Sequence, residues 1–297
     1  MENNNGHVYA LTGAGGHLGR LALSYILDLV PAGKILATTR RPELLSDFTA
    51  QGVTVRRADF SDTRSLEGAF SGATRILIIS TNEYPMELRS AHHMDAIKAA
   101  VNAGVRHITS TYFSLSKASN ADDDNPWTRG QEKIMDALAR SGREWTVLNM
   151  NIWMDGIPYF LNALRTGEKI LIPEGSGKPC WVSHEDYART AVSVLTGKAL
   201  INGAADVTGP ESLGLDDLAR RWAGFHERNM EVQIQPGGRV IEGLVSNGMP
   251  LQSAEQIVGY CDMFRLFDVK VSDTVRIATG KPPVSADELL RNLIIPE

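Results

Sequence analysis

Cysteine is scarce in this 297-residue chain: there are two, Cys180 and Cys261, far apart in sequence. That is too few for a disulfide framework or a zinc ribbon, and the pair reads as buried free thiols in a reducing compartment. No apolar run approaches the roughly 18 residues of a membrane span. The opening stretch Met1–His7 has no basic region followed by an apolar one, so neither a membrane anchor nor a secretory signal is expected, and a cytoplasmic setting is. An excess of one charge is missing too. The formal net charge is −5, with 22% charged residues, which leaves no electrostatic footprint for a nucleic-acid partner. There are no evident repeats or low-complexity tracts. Hydrophobic residues make up 43%, as in ordinary globular chains, and the length suits a large α/β domain with an added lobe.

The first half of the chain alternates short apolar runs with helical spacing. The runs at 8–11, 35–39, 53–58, 75–80, 105–109 and 145–149 are predicted strands, and 18–29, 87–103 and 131–141 are predicted helices. Gly104 and Gly142 follow two of these helices as C-cap residues. Ile76 to Ile79 is apolar on both faces, as in a strand covered by helices on both sides. Strands and helices in alternation predict βαβ units and a Rossmann-type, doubly wound parallel sheet. The second half is less regular. Residues 155–178 are rich in Gly and Pro, helices are expected at 183–196, 215–225, 254–267 and 286–293, and a short strand at 205–208. The expected division is a dinucleotide-binding domain over 1–154 and a smaller C-terminal substrate lobe over 155–297, with 181–208 returning to pack on the first domain.

The most informative stretch is Thr12-Gly13-Ala14-Gly15-Gly16-His17-Leu18-Gly19, between the first strand and the first helix. Gly13 allows a sharp turn out of the strand, Gly16 allows close approach of a pyrophosphate, and Gly19 allows the helix to sit against the sheet. The free N–H groups and dipole at the helix start then hold phosphates. An acid normally ends the second strand where NAD is preferred. Here the strand ends Thr39-Arg40-Arg41. A guanidinium suits a 2′-phosphate, with Thr39 adding a hydroxyl, so NADPH/NADP is the expected cofactor. Asp59 and Phe60 end the third strand beside the expected adenine. Ser80, Thr81 and Asn82 end the fourth, along the nicotinamide ribose. Asp62 is expected as an N-cap.

Thr12 to Gly19, the Thr39-Arg40 pair, Asp59 and the segment Trp181 to Ala188 resemble the NmrA-like, atypical branch of the short-chain dehydrogenases/reductases. Within it, the chain looks most like NADPH quinone oxidoreductases and triphenylmethane dye reductases. The resemblance implies that Gly13, Gly15, Gly16, His17, Leu18 and Gly19 hold the pyrophosphate, that Arg40 holds the 2′-phosphate, and that Ser80 and Thr81 lie along the cofactor. It also implies that Asn149, Asn151 and the residues up to Met154 lie beside nicotinamide and substrate.

The Tyr-x-x-x-Lys pair of most short-chain dehydrogenases is absent. Asp124 and Thr128 stand in its expected places, and Tyr112 with Lys117 has the wrong spacing. Reduction of a ketone makes an alkoxide that needs a positioned acid, whereas quinones, iminium ions and cationic dyes take hydride without one. The expected function is therefore an NADPH-dependent reductase of a soft conjugated small molecule. The alternative is a non-enzymatic redox sensor, and an epimerase or lyase on the same scaffold stands third. Tyr112 is a candidate acid, or else a loop tyrosine that only lines the site. Lys133 is a candidate for the ribose, and Asp122 to Asp124 reads as a surface loop. Trp153, Met154, Tyr159 and Phe160 are candidate substrate-pocket residues, with Met263, Phe264 and Phe267 closing the pocket or forming plain core. His92 and His93 are adjacent on a helix and face different ways, so no metal site is expected. A homodimer is a reasonable expectation at this size.

Overall fold

The computed structural model describes residues 6–83, 85–113, 115, 125–199, 203–267 and 269–295. Lys117 and the Asp122 to Asp124 run lie outside them. The first half supplies β1 (Tyr9–Leu11), α1 (His17–Leu27), β2 (Ile35–Thr39), α2 (Ser46–Ala50), β3 (Thr54–Arg57), α3 (Thr63–Phe70), β4 (Arg75–Ile78), α4 (Met86–Asn102), β5 (His107–Phe113), α5 (Pro126–Ala139) and β6 (Glu144–Met150). The second supplies α6 (Ile157–Ala163), β7 (Arg165–Thr166), β8 (Lys169–Pro173), α7 (His184–Leu195), β9 (Gly203–Val207), α8 (Leu215–Phe225), β10 (Glu231–Gln235), α9 (Gly237–Ser246), α10 (Leu251–Met263), α11 (Thr274–Thr279) and α12 (Ala286–Asn292).

Seven parallel strands form the main sheet in the order β3-β2-β1-β4-β5-β6-β9. The order reverses between β1 and β4, and that reversal leaves a crevice outside the carboxyl ends of the strands, where Rossmann-type sheets bind dinucleotides. β1 and β4 are buried along their whole length because helices cover both faces. One face packs Leu23, Ile26, Tyr187 and Val194 from α1 and α7 against the sheet. The other packs Leu66, Phe70, Ile97 and Leu138 from α3, α4 and α5.

The chain after β6 does two things. Its own core gathers Phe160, Ile170, Trp181, Leu218, Trp222 and Phe264 around a three-stranded sheet of order β10-β8-β7. In addition, α7, β9 and α11 rejoin the first half, with Val275 and Ala278 of α11 in the same core as α1. Sequence periodicity missed β10, α9 and α11. β10 runs parallel to β8 across a long stretch of chain, and pairing at that distance leaves no local signature. The helix expected at 254–267 begins earlier, at Leu251, and its last turn tightens to a 3₁₀ helix over Phe264–Phe267. Among the described residues, no helix is long and apolar enough to cross a membrane.

Candidate active site

The glycine loop is fixed from both sides by backbone. Thr12 N donates to the Leu77 carbonyl and Ala14 N to the Thr38 carbonyl, each at 3.0 Å. The Thr12 hydroxyl also takes the Ile79 N–H at 2.9 Å, so the ends of β1 and β4 are held together beneath the loop. Gly13 has φ +61°, and a Cβ on Gly19 would stand 2.3 Å from the Gly13 carbonyl oxygen. Both positions therefore require glycine, one for conformation and one for space. The N-cap of α1 is Gly16, without a capping side chain, and no acid lies in the first turn. Among the described residues, the His17 and Leu18 N–H groups have no acceptor. An uncapped helix start with no acid in its own first turn fits a dinucleotide pyrophosphate.

Thr39 stands at the end of β2, close enough that a Cβ on Gly15 would lie 2.9 Å from its hydroxyl. Arg40 and Arg41 are exposed beyond it, and Arg40 faces Asp59, whose carboxyl is held below its usual range first by bonds from Ser61 and then by Arg40 and Arg57. One Asp59 oxygen is already occupied by the Ser61 hydroxyl and N–H, at 2.8 and 3.1 Å. Phe60, expected beside the adenine, is 9% exposed. It is buried with Leu36, Ala58 and Leu66, because the core under α3 needs its ring. Asp62 is the N-cap residue of α3 by position, but its side chain makes no capping bond.

Around the ends of β4, β5 and β6 the structure brings the expected Ser80, Thr81, Asn82 and Asn149 together with Arg89, Phe113 and Gln131, which sequence reasoning had not singled out. Ser80 N donates to the Thr111 hydroxyl at 2.9 Å, and the Ser80 hydroxyl accepts from Arg89 Nε at 2.8 Å. The Arg89 guanidinium lies over the Phe113 ring, 4.6 Å from its centre. Phe113 meets Trp127 edge to face at 4.6 Å, and both reach Phe267 at about 6 Å. Gln131 donates to the Phe113 carbonyl and the Asn149 side chain, both at 3.2 Å, and Asn149 in turn donates to Asp206 at 3.3 Å. Thr81 bonds Glu83, which also pairs with His92, and Asn82 is exposed. Nothing local to the sequence marks Arg89 or Gln131, since both act through strands distant in the chain.

The structure places the other expected site residues as follows. Tyr112 is not a loop residue. It is an interior residue of β5, fully buried, with its hydroxyl donating to the Trp127 carbonyl at 3.0 Å. Burial raises its pKa against the opposing pull of Ser90 and Arg89. Lys133 lies on the exposed face of α5, while Gly130, Gln131 and Ile134 face inward. Asn151 is spent on structure: it donates to the Phe267 carbonyl and accepts from the Ile152 and Cys180 N–H groups, all within 3.0 Å. Met154 and Phe160 belong to the second core, as do Phe264 and Trp181 around them, while Tyr159 is 55% exposed. Met263 is half-buried, and Phe267 is the one aromatic of that segment that reaches the Phe113–Trp127 pair.

Trp153 stacks flat on His184 at 3.9 Å and meets Tyr187 edge-on. His184 begins α7 and donates to Asp155 at 2.8 Å through Nδ1, which, together with the His184 N–H, holds the Asp155 carboxyl down at about 2. His17 lies edge-on to His184 at 4.8 Å. Among the described residues, His17, Asp155 and His184 are the one group whose metal-ligating atoms converge, within 4.8 Å. They do so at the starts of α1 and α7, where both helix dipoles favour an anion over a cation.

The family model described as "NmrA-like family" matches residues 7–282. Quinone oxidoreductase 2 of Escherichia coli is 31% identical over 81% of this chain and 82% of its own length. The NAD(P)H azoreductase of Xenophilus azovorans is 27% identical, over 80% of this chain and 81% of its own length. The solved structure of the Citrobacter sp. triphenylmethane reductase complexed with NADP(H) superposes with a TM-score of 0.82 at 27% identity, covering 96% of this chain and 99% of that one.

Proposed function

The chain belongs to the NmrA-like family, and from that premise we propose that it is an NADPH-dependent reductase passing hydride to a soft conjugated acceptor, a quinone or a related planar molecule, without a Tyr-x-x-x-Lys pair. It is an NAD(P)H oxidoreductase by its relatives, which are named for quinone, azo and triphenylmethane substrates. The observation that carries the acceptor class is the make-up of the crevice. Phe113 and Trp127, both partly exposed, offer aromatic surface to a planar molecule, with buried Phe267 packed behind them, and the Tyr112 hydroxyl is turned into the core. Such a site has little with which to protonate an alkoxide.

Bound NADPH supplies the hydride. The chain's own part is positional. The Gly13–Gly19 backbone and the start of α1 hold the pyrophosphate, Arg40 with Thr39 holds the 2′-phosphate, and Ser80 with the Gln131–Asn149 pair lines the nicotinamide end. The aromatic group keeps water from the reacting face, so orientation and desolvation contribute most of the rate, and the proton comes from solvent. A panel of quinones, azo compounds, cyclic imines, a triphenylmethane dye and saturated ketones tests this by NADPH consumption. Turnover with conjugated acceptors and none with ketones is the expected result. Efficient ketone reduction would overturn the acceptor class, and NADPH that binds but is never consumed, whatever the acceptor, would favour a sensor.

A further inference from the structure

Arg89 is a charged side chain in a place where charge is costly. It is 8% exposed, and among the described residues its only hydrogen bond is the one from Nε to the Ser80 hydroxyl. No carboxylate there pairs with it. Its charge is supported first by Tyr112 and then by Glu83, whose carboxylate bonds Thr81 and His92 instead. Its terminal amino groups are not among the sealed polar atoms that lack partners, so they keep contact with solvent. Burial lowers the guanidinium to about 10, still well above neutral pH. His93 behind it is pushed down to about 3 by burial and by Arg89 itself, and is neutral. A largely buried cation that no carboxylate pairs with is costly, and a ligand anion that reaches its solvent-facing N–H groups offsets that cost.

The place is the crevice. Arg89 is anchored by Ser80 at the end of β4 and by the Phe113 ring at the end of β5, beside Trp127 and the Gln131–Asn149 pair. We propose that Arg89 forms an oxyanion subsite of the acceptor pocket, so that the enzyme favours planar acceptors that carry, or acquire on reduction, a negatively charged oxygen and disfavours cationic ones. The proposal rests on the reading of this crevice as the acceptor site and narrows it. A quinone that takes up a hydride, with its electron pair, becomes the hydroquinone monoanion while NADPH becomes NADP⁺. The free N–H groups of Arg89 donate to that new anionic oxygen, and a proton from water completes the hydroquinone. A cationic dye in the same place meets a fixed like charge, which opposes its binding.

The test uses the whole chain as wild type, Arg89→Gln and Arg89→Lys. Calorimetry in the presence of NADP⁺ follows two inert probes of similar size, naphthalene-2-sulfonate and a naphthyltrimethylammonium. Wild type is expected to prefer the sulfonate, Arg89→Gln to lose that preference by about ten- to a hundredfold, as for a charge-assisted hydrogen bond, and Arg89→Lys to keep part of it. In parallel, kcat/KM is expected to fall in Arg89→Gln for a naphthoquinone sulfonate and to rise for a triphenylmethane cation. Equal binding of both probes by wild type, or an unchanged preference in Arg89→Gln, overturns the subsite. If wild type reduces no acceptor at all, the reductase reading fails, and the probe titrations still decide Arg89.

Discussion

Single side chains give the sharpest consequences. Arg40 stands beside Thr39 and Arg41 at the end of β2, and Arg40→Ala should weaken NADPH binding by about ten- to a hundredfold, the size of a charge-assisted hydrogen bond, while leaving NADH within twofold or so. Titration with both cofactors checks this, and an equal loss would remove Arg40 from the 2′-phosphate. Tyr112→Phe should behave in the opposite way. The hydroxyl lost is a buried bond to the Trp127 carbonyl, so stability should drop by about 1 kcal/mol in urea unfolding, with turnover unchanged. A collapse of kcat with unaltered stability would restore Tyr112 as an acid. Gly13, Gly16 and Gly19 were legible because their need for turn and space is local. Arg89 and Gln131 were not, because their partners at Ser80, Phe113 and Asn149 are set by the order of strands in the sheet.

Elements were legible wherever one helix or strand carried its own signal. Gly104 ends α4 at φ +82°, and Asn125 caps α5 with Pro126 in the first turn, both features a sequence displays. The second sheet was missed because β8 lies in the Gly- and Pro-rich stretch 155–178 and its partner β10 lies beyond α7, β9 and α8. The return of the chain to the first domain depends on the start of α7. Ser183 caps it by accepting the Asp186 N–H at 3.0 Å, and the Asp186 carboxylate holds the Val284 N–H at 2.8 Å. Ser183→Ala should therefore cost about 1 kcal/mol, the ordinary loss of an N-cap, measured as a lower urea midpoint. A change within error would mean that α7 is held by its packing on α1 alone. At the opposite end of the sheet, Arg75 bonds the Leu195 and Val194 carbonyls and so closes the last turn of α7, as a cation at a helix C-terminus should.

The whole molecule carries a pH dependence that follows from two buried imidazoles. Burial and the neighbouring Arg89 lower His93 to about 3, and burial with Arg75 lowers His107 to about 4, from an ordinary 6.5. Both are depressed, so the unfolded chain takes up protons first. Their contribution is intact above about pH 6.5 and is lost as the pH falls toward 4 and then 3, with up to about two protons bound per unfolding event. Urea midpoints between pH 7.5 and 4.5 should show this slope, and His107→Gln should reduce it by about one proton. A flat profile over that range would mean that these rings do not stay neutral in the folded state.

The central claim, that this crevice joins NADPH to a conjugated acceptor, is tested most directly by steady-state kcat/KM for NADPH and NADH with one neutral naphthoquinone. The account predicts turnover with both and a preference for NADPH of about tenfold or more, the least that one charge-assisted contact to the 2′-phosphate provides. Binding of NADPH without any consumption, or equal efficiency with NADH, would contradict it.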